Sequence, residues 1–131
     1  MIKLIKFLKV IFHLINFILI GLYLYSGSIL GYILYRDFTR QPKITEDFLN
    51  ISANHFYAFA FLSIIGFLAY LDDKRLQILI KYLFTSSIIL ELIHLVIPAR
   101  IFQRSDLLGN VFGVLLIYVL YNVKKKYGQK I

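Results

Sequence analysis

The sequence predicts an all-α integral membrane protein, a single domain of 131 residues in which four transmembrane helices form a bundle with short connecting loops. Hydrophobic residues make up 60% of the chain and the mean hydropathy is +0.75, well above that of ordinary soluble domains. A chain of this length buries only part of its surface on folding, so a bilayer has to cover the rest. The four apolar segments have these approximate bounds: 10–35, 52–71, 76–97 and 106–123.

The first segment contains no Lys, Arg, Asp or Glu and is long enough to cross a bilayer with tilt. Lysines at positions 3, 6 and 9 precede it, as in a secretory signal peptide, but the apolar stretch is too long for one and no A-x-A cleavage site follows. We therefore interpret it as a retained transmembrane helix. Within it, Gly27 and Gly31 have the spacing that lets two membrane helices pack closely.

The connections between the segments are polar. The loop 36–51 contains Pro42 and is expected to carry a short interfacial helix at about residues 45–49. A charged turn at 72–75 joins the second and third segments, and a tight loop at 98–105 joins the third and fourth. Backbone groups in lipid must be hydrogen-bonded within the chain, so all four apolar segments are expected to be helical.

The basic residues lie at the ends of the apolar segments. This is the distribution of topology signals, so the formal charge of +8 does not indicate a nucleic-acid partner. With the N-terminus in the cytoplasm, the basic residues divide ten to five in favour of the cytoplasmic side, as the positive-inside rule requires. The inner ten are Lys3, Lys6, Lys9, Lys74, Arg75, Lys81, Lys124, Lys125, Lys126 and Lys130. The outer five are Arg36, Arg40, Lys43, Arg100 and Arg104. Both termini are therefore expected in the cytoplasm.

Polar residues interrupt the apolar sequence on both sides of the last loop. Such residues are costly inside a membrane and are usually paired or functional. Glu91 and His94 are three residues apart and share a face of the third helix. Asp106, Asn110 and Gly113 likewise share a face of the fourth. Counted from the loop 98–105, the two faces lie at similar depth in the membrane. Gly113 has no side chain and is expected to let the third and fourth helices pack closely.

Further polar residues are expected at the same end of the bundle. His55 enters the membrane there on the second helix, and Arg100 and Arg104 in the last loop are natural counter-ions for the acids. A carboxyl balanced between burial and a counter-ion can serve as a general acid or base. The hypothesised catalytic residues are Glu91, His94 and Asp106. The hypothesised ligand-binding residues are His55, Arg100, Arg104 and Asn110.

The same residues allow simpler interpretations. A contact between Glu91 and His94 that only locks two helices together explains the pair without any chemistry. Four of the residues are zinc ligands by type: His55, His94, Glu91 and Asp106. Nothing in their spacing requires a metal, so no metal and no cofactor are predicted. The absence of cysteine excludes disulfides and thiolate chemistry.

Residues 91–100 read ELIHLVIPAR, and residues 105–113 read SDLLGNVFG. Together they resemble the motifs of VanZ-like membrane proteins, small bacterial proteins of about four spans: a Glu, a polar residue three positions later, Pro-x-Arg, and then Asp-x3-Asn-x2-Gly. The stretch HFYAF at 55–59 resembles the His-Phe-x-x-Phe motif of the same family at the start of its second span. His94 stands where the family usually has Gln, and Ile51-Ser52 stand where it has an Asp-Lys pair.

The resemblance implies a protein of the bacterial cell membrane that acts in the cell envelope and is linked to resistance to the glycopeptide teicoplanin. Members of this family also accompany polysaccharide loci. The implied partners are therefore the lipid bilayer and a lipid-linked cell-wall or polysaccharide precursor. Two alternatives stay open: a non-enzymatic scaffold with a structural polar cluster, and a small proton-coupled transporter, although small multidrug exporters carry their acid in a first span that has none here. Whether the protein is an enzyme also stays open.

Overall fold

The computed structural model describes residues 1–128 and consists of helices joined by loops, the longest of them at residues 36–52. The helices are α1 (Ile2–Leu24), α2 (Ile29–Tyr35), α3 (Ala53–Tyr70), α4 (Leu76–Leu92) and α5 (Arg104–Gly128), with a 3-10 turn at Ile93–Leu95 after α4. Three helices, α1, α3 and α5, are long and apolar enough to cross a membrane, as is α4 together with the 3-10 turn that follows it, and the described residues form no strand. The predicted all-α fold with four candidate spans is therefore confirmed. Lys130, predicted on the cytoplasmic side, lies outside the described residues.

The predicted first segment, 10–35, is divided between two helices. The first, α1, starts near the beginning of the chain and ends at Leu24, and Tyr25 has extended backbone with φ −68° and ψ 138°. Ser28 then begins α2 by accepting a hydrogen bond from the Gly31 amide at 2.9 Å. Serine and glycine favour helix ends over helix interiors, so the Ser-Gly-Ser sequence before α2 stops the helix although apolar residues resume after it.

The Gly27–Gly31 pair does not join two transmembrane helices. A Cβ atom at Gly31 would lie 1.8 Å from the carbonyl oxygen of Arg40 and 2.7 Å from that of Asp37. Gly27 is less tightly packed, and its Cβ would lie 3.4 Å from Phe38. The two glycines thus leave room for residues 37–40, which fold back against them after α2. This role differs from the predicted contact between two helices.

The interfacial helix predicted at about residues 45–49 is not formed. This stretch is irregular and leads into a turn at Leu49 and Asn50, which have positive φ values of 50° and 59°. The short helix of this part of the chain is α2 instead, and its Ile33 and Leu34 side chains are exposed. A short helix with exposed apolar side chains suits a membrane interface.

The central helix is α3, which contacts the other three long helices. It approaches α5 most closely, because two glycines on α5 remove the side chains that would separate the backbones. A Cβ at Gly109 would lie 2.6 Å from the Ser52 carbonyl oxygen, and one at Gly113 would lie 2.6 Å from that of Phe56. Gly113 therefore serves the contact between α3 and α5, whereas the sequence predicted that it would bring α4 and α5 together.

Asp73, in the turn between α3 and α4, anchors the beginning of α1. Its carboxylate accepts hydrogen bonds from the Arg75 guanidinium at 3.1 Å, from the Arg75 backbone N–H at 2.9 Å, and from the Lys9 ammonium. These bonds from Arg75 and Lys9 hold the pKa of the Asp73 carboxyl well below its usual range. Nearby, Nε2 of His13 lies 2.9 Å from the Tyr70 hydroxyl. The contacts fix the end of the bundle opposite to the one that holds the candidate site.

Replacing Asp73 with Asn is expected to lower the thermal unfolding temperature at pH 7, because the charge shared by Lys9 and Arg75 is lost. A carboxyl whose pKa is lower in the folded state than in the unfolded state stabilises the fold at pH values above its unfolded-state pKa, which is about 3.9. This contribution is lost as the pH falls below about 3.9 towards the pKa of the folded state. The difference between wild type and Asp73→Asn in detergent should therefore shrink as the pH is lowered from about 5 towards about 2. The matched control is Asp72→Asn, which should change little. A difference independent of pH would contradict the assignment.

Gly109→Ala and Gly113→Ala are each expected to lower the free energy of unfolding by about 1–3 kcal/mol, the usual cost of overpacking. Each new methyl group would meet a carbonyl of α3, which cannot move without moving the helix. The control is Gly21→Ala, since a Cβ there has nothing within 4 Å. Unfolding curves in detergent measure all three, and similar stability of the three variants would argue against close approach of α3 and α5.

Candidate functional site

Four helix ends meet at one end of the bundle: the last residues of α1 and α4 and the first residues of α3 and α5. Their side chains form one connected group, called here the polar cluster: Tyr23, His55, Glu91, His94, Asp106 and Asn110. The structure thus brings together the five residues that the sequence predicted at this end. Tyr23 was missed, because the chain has ten tyrosines and nothing in the local pattern distinguishes this one.

Glu91 lies at the bottom of the polar cluster with no exposed surface. Its Oε1 atom accepts a hydrogen bond at 3.1 Å from the backbone N–H of Gln103, the residue just before α5. The carboxylate therefore lies at the positive end of the α5 dipole. Its Oε2 atom is also fully buried but has no hydrogen-bond partner in the structure.

The ring nitrogen of neutral His94 that faces Glu91 carries no hydrogen and therefore cannot donate a hydrogen bond to the carboxylate. Nε2 of His94 lies 2.9 Å from the carbonyl oxygen of Tyr23, and because a carbonyl only accepts, this nitrogen carries the hydrogen. In neutral His94, Nδ1 then carries a lone pair, and it lies 3.2 Å from Oε2 of Glu91. Two acceptors face each other there, so the contact requires a further proton or another positive charge between or beside them.

Asn110 fixes the orientation of its neighbours. Its Nδ2 atom donates to the Ser87 carbonyl at 3.1 Å, which identifies Oδ1 as the acceptor. Oδ1 accepts the Tyr23 hydroxyl and lies 3.0 Å from Nδ1 of His55. Since the hydroxyl proton points to Asn110, the hydrogen between Tyr23 and His55, whose atoms lie 2.8 Å apart, belongs to Nδ1 of His55.

His55 and Asp106 repeat the arrangement of His94 and Glu91. With the hydrogen on Nδ1, neutral His55 has its lone pair on Nε2, which lies 3.5 Å from Oδ2 of Asp106. This distance is too long for a good hydrogen bond. The polar cluster therefore contains two imidazole lone pairs that each face a carboxylate. Asp106 lies in the first turn of α5.

Arg100 does not pair with the acids of the polar cluster. Its guanidinium donates to three carbonyl oxygens at the end of α1: Tyr25 at 2.8 Å, Leu22 at 2.6 Å and Gly27 at 3.0 Å. Helix ends leave such carbonyls unsatisfied and attract cations, which explains why Arg100 binds here. Burial lowers the pKa of Arg100 from its ordinary value, but arginine remains charged in proteins.

Arg104, the second predicted counter-ion, is exposed at the start of α5. Within residues 1–128 no Lys or Arg forms an ion pair with Glu91 or Asp106. The ion pairs expected between these acids and Arg100 or Arg104 are therefore not formed. The sequence placed all of these residues at the correct end, but it did not reveal that the carbonyls of α1 compete for Arg100.

Two adjoining cavities open beside the polar cluster. The larger, of about 530 Å³, has a wall that is about equally polar and apolar, and Asp106 and Lys43 contribute to it. The smaller, of about 140 Å³, is mainly apolar. Both are lined by the same six residues where they adjoin: Ser28, Gln41, Asn54, His55, His94 and Arg100. Neither Glu91 nor Asn110 lines the wall of either cavity, and the hydrogen bonds of Asn110 give it a positioning role. The predicted contact of Asn110 with a ligand stays a prediction.

Asn110→Ala is expected to lower the free energy of unfolding by at least about 2 kcal/mol, because it leaves buried groups on three helices without partners. Tyr23→Phe should cost less, about 1 kcal/mol, since Asn110 and His55 lie 3.0 Å apart and can still pair. Thermal or denaturant unfolding in detergent compares them. Asn122→Ala, at an exposed position of the same helix, is the control. A smaller effect for Asn110→Ala than for Tyr23→Phe would contradict the proposed linkage.

The fold and the site together indicate a multi-pass membrane protein with a buried polar cluster and two cavities at one end of its helices. No family model, curated protein or solved structure matches the chain.

Proposed function

We propose that this is a VanZ-like protein of the bacterial cell membrane that binds the head of a lipid-linked, phosphate-bearing envelope molecule from the outer leaflet. The observation that carries the proposal is the pair of adjoining cavities, one of about 530 Å³ with charged side chains on its wall and a mainly apolar one of about 140 Å³. A lipid-linked precursor has the same two parts, a polar head and a hydrocarbon chain. The ligand would lie across the shared wall.

Arg100 is suited to bind the phosphate. Its contacts with the carbonyls of α1 hold the guanidinium in place before a ligand arrives. Its Nη1 atom has no hydrogen-bond partner among residues 1–128, and the side chain lines both cavities. Two N–H groups on one guanidinium nitrogen can donate to phosphate oxygens. Lys43 on the wall of the larger cavity supplies a second positive charge.

The rest of the two walls fits the remainder of such a molecule. Asp47 and Asp106 line the larger cavity and would accept hydrogen bonds from hydroxyl or amide groups of a glycan or peptide portion. Leu19, Leu22 and Leu30 line the smaller cavity, where they would contact the first part of a hydrocarbon chain. The combination favours an amphiphile over a fully soluble ligand.

The outer-leaflet location rests on the distribution of basic residues. Lys3, Lys6 and Lys9 lie at the start of α1, and three more lysines lie at the end of α5. Both groups are at the end of the bundle opposite to the polar cluster, so the positive-inside rule would orient the cavities outwards and both termini towards the cytoplasm. The resemblance of residues 91–113 to VanZ-like proteins would connect such a site with teicoplanin resistance.

Binding is favoured over catalysis by the positions of the hypothesised catalytic residues. Glu91 does not reach a cavity wall. Both ring nitrogens of His94 face protein atoms, the Tyr23 carbonyl and the Glu91 carboxylate. Asp106 alone of the three has a carboxylate on the wall that is not enclosed, and proton transfer to a ligand would fall to it.

A membrane scaffold is the second candidate. It is favoured by the complete burial of Glu91 and Asn110, whose hydrogen bonds connect residues from all four helix ends. In a scaffold, substitutions in the polar cluster would change folding and assembly, and substitutions on the cavity walls would have no effect on any ligand.

Arg100→Lys and Lys43→Gln are each expected to weaken binding of a polyprenyl phosphate by about tenfold or more, because a charged hydrogen bond to the phosphate is lost. The conservative Arg100→Lys keeps a cation for the carbonyls of α1 and so protects the fold. Binding is measured on purified protein in detergent by native mass spectrometry with the polyprenyl phosphate as the probe. Arg104→Gln, an exposed arginine outside both cavities, is the matched control and should bind as wild type does.

The same variants expressed in a Gram-positive host at matched membrane abundance test the envelope role. Wild type and Arg104→Gln should raise teicoplanin resistance, and Arg100→Lys should not. Equal binding of the phosphate by all folded variants, together with equal resistance, would overturn the proposed ligand site and favour the scaffold.

A further inference from the structure

We infer that the polar cluster binds a divalent transition-metal ion of the zinc or manganese type through His55, Glu91 and Asp106. The three ligands come from three different helices, α3, α4 and α5. One position of the ion would face the larger cavity and take a water molecule. This inference concerns the protein's own ligands and does not depend on the lipid-linked molecule proposed above.

The separation of the three side chains is close to that of a metal site. One ligand atom from each of the three residues lies within 4.8 Å of the other two. Nitrogen and carboxylate oxygen ligands lie about 2.0–2.2 Å from zinc, so two ligands of one tetrahedral ion are about 3.3–3.6 Å apart. Nε2 of His55 and Oδ2 of Asp106 lie 3.5 Å apart, which is long for a hydrogen bond and fits this edge. Small side-chain movements would close the remaining distances.

The Glu91 carboxylate supplies an independent reason for a cation. Its Oε2 atom is fully buried and has no hydrogen-bond partner, although Oε1 is held by Gln103. Such an atom normally costs free energy unless a ligand or ion satisfies it. Within residues 1–128, no Lys or Arg forms an ion pair with either carboxylate of the polar cluster. One divalent ion would balance both negative charges in a region of low dielectric constant.

The hydrogen bonds around His55 prepare it to bind a metal. Nδ1 carries a hydrogen that is directed at Asn110 and Tyr23, so the lone pair of the neutral ring is on Nε2, the nitrogen beside Asp106. Metal-binding histidines are commonly fixed in this way, with the second ring nitrogen donating to an acceptor. The Gln103 amide orients Glu91 in the same manner. Nearby His94, whose Nδ1 lies 3.2 Å from Oε2 of Glu91, is placed to support the site as a fourth ligand or a partner.

Extra protons on the two carboxylate–imidazole pairs are the competing explanation for the facing lone pairs. Protons would satisfy His94 with Glu91 and His55 with Asp106 separately. They would not explain why one ligand atom each of His55, Glu91 and Asp106 lies within 4.8 Å of the other two. The cavity beside His55 and Asp106 also gives an ion a route from the aqueous side.

The test measures metal bound to the purified full-length protein. The protein carries an affinity tag without histidine, is incubated in detergent with Zn²⁺ or Mn²⁺ alone, and is desalted before elemental analysis by mass spectrometry. Wild type should retain about one ion per chain, and EDTA should lower its thermal unfolding temperature. Asp106→Asn, Glu91→Gln and His55→Ala should each retain at least tenfold less. Glu46→Gln, which removes an exposed carboxylate in the loop before α3, should retain as much metal as wild type.

Asp106→Asn decides the case if Glu91→Gln fails to fold, because Asp106 is partly exposed and its loss disturbs the interior less. Retention of metal by all folded variants would show adventitious surface binding and overturn the inference. Wild type that retains no metal and is indifferent to EDTA would overturn it as well. The polyprenyl phosphate experiment can fail while this one succeeds, so the two proposals are separable.

Discussion

The side chain of Asn110 links α5 to the other three long helices, and the polar end of the bundle depends on it. Its amide donates to the Ser87 carbonyl of α4, and its oxygen accepts the Tyr23 hydroxyl of α1 and lies within hydrogen-bond distance of His55 on α3. Lipid offers no competing donors or acceptors, so these bonds hold the helices in register. The two glycines of α5 beside Asn110 bring α3 close enough for its oxygen to reach His55. One stretch of α5 thus provides both the close approach and the polar contact that the approach makes possible.

Much of the polar cluster could be predicted from the sequence because helical periodicity is reliable over one turn. Glu91 and His94, and Asp106 and Asn110, share their faces for that reason alone. The sequence did not reveal which helix each face meets, and packing placed the face of Asn110 against α3 as well as α4. Tyr23 could not be found because its role depends on where α1 ends. A tyrosine in an apolar run carries no local signal of a buried partner.

The path of the chain after α1 explains the largest difference between the sequence and the structure. An apolar run shows that a helix can continue, but it does not show where the helix ends. In this protein α1 ends at Leu24, and the carbonyls that become free are bound by Arg100, which lies far along the sequence. The same arginine was predicted as a counter-ion for buried acids, since attraction between opposite charges was the only partner that the sequence displayed. Partial charges on a helix end competed successfully with a full charge on a carboxylate.

Some polar atoms of the cluster have hydrogen-bond partners within the protein and others do not, and this difference bears on function. Asn110, Tyr23 and Nε2 of His94 are satisfied within the protein, as a purely structural cluster would require. Oε2 of Glu91 is buried without a hydrogen-bond partner, and the partly exposed Asp106 carboxylate, like that of Glu91, faces an imidazole lone pair. A cluster whose only task was to join helices would gain stability if these acids were replaced by neutral or apolar side chains. Retaining two carboxylates next to the larger cavity therefore fits a site that binds something charged, with the satisfied residues serving to hold the two acids in position.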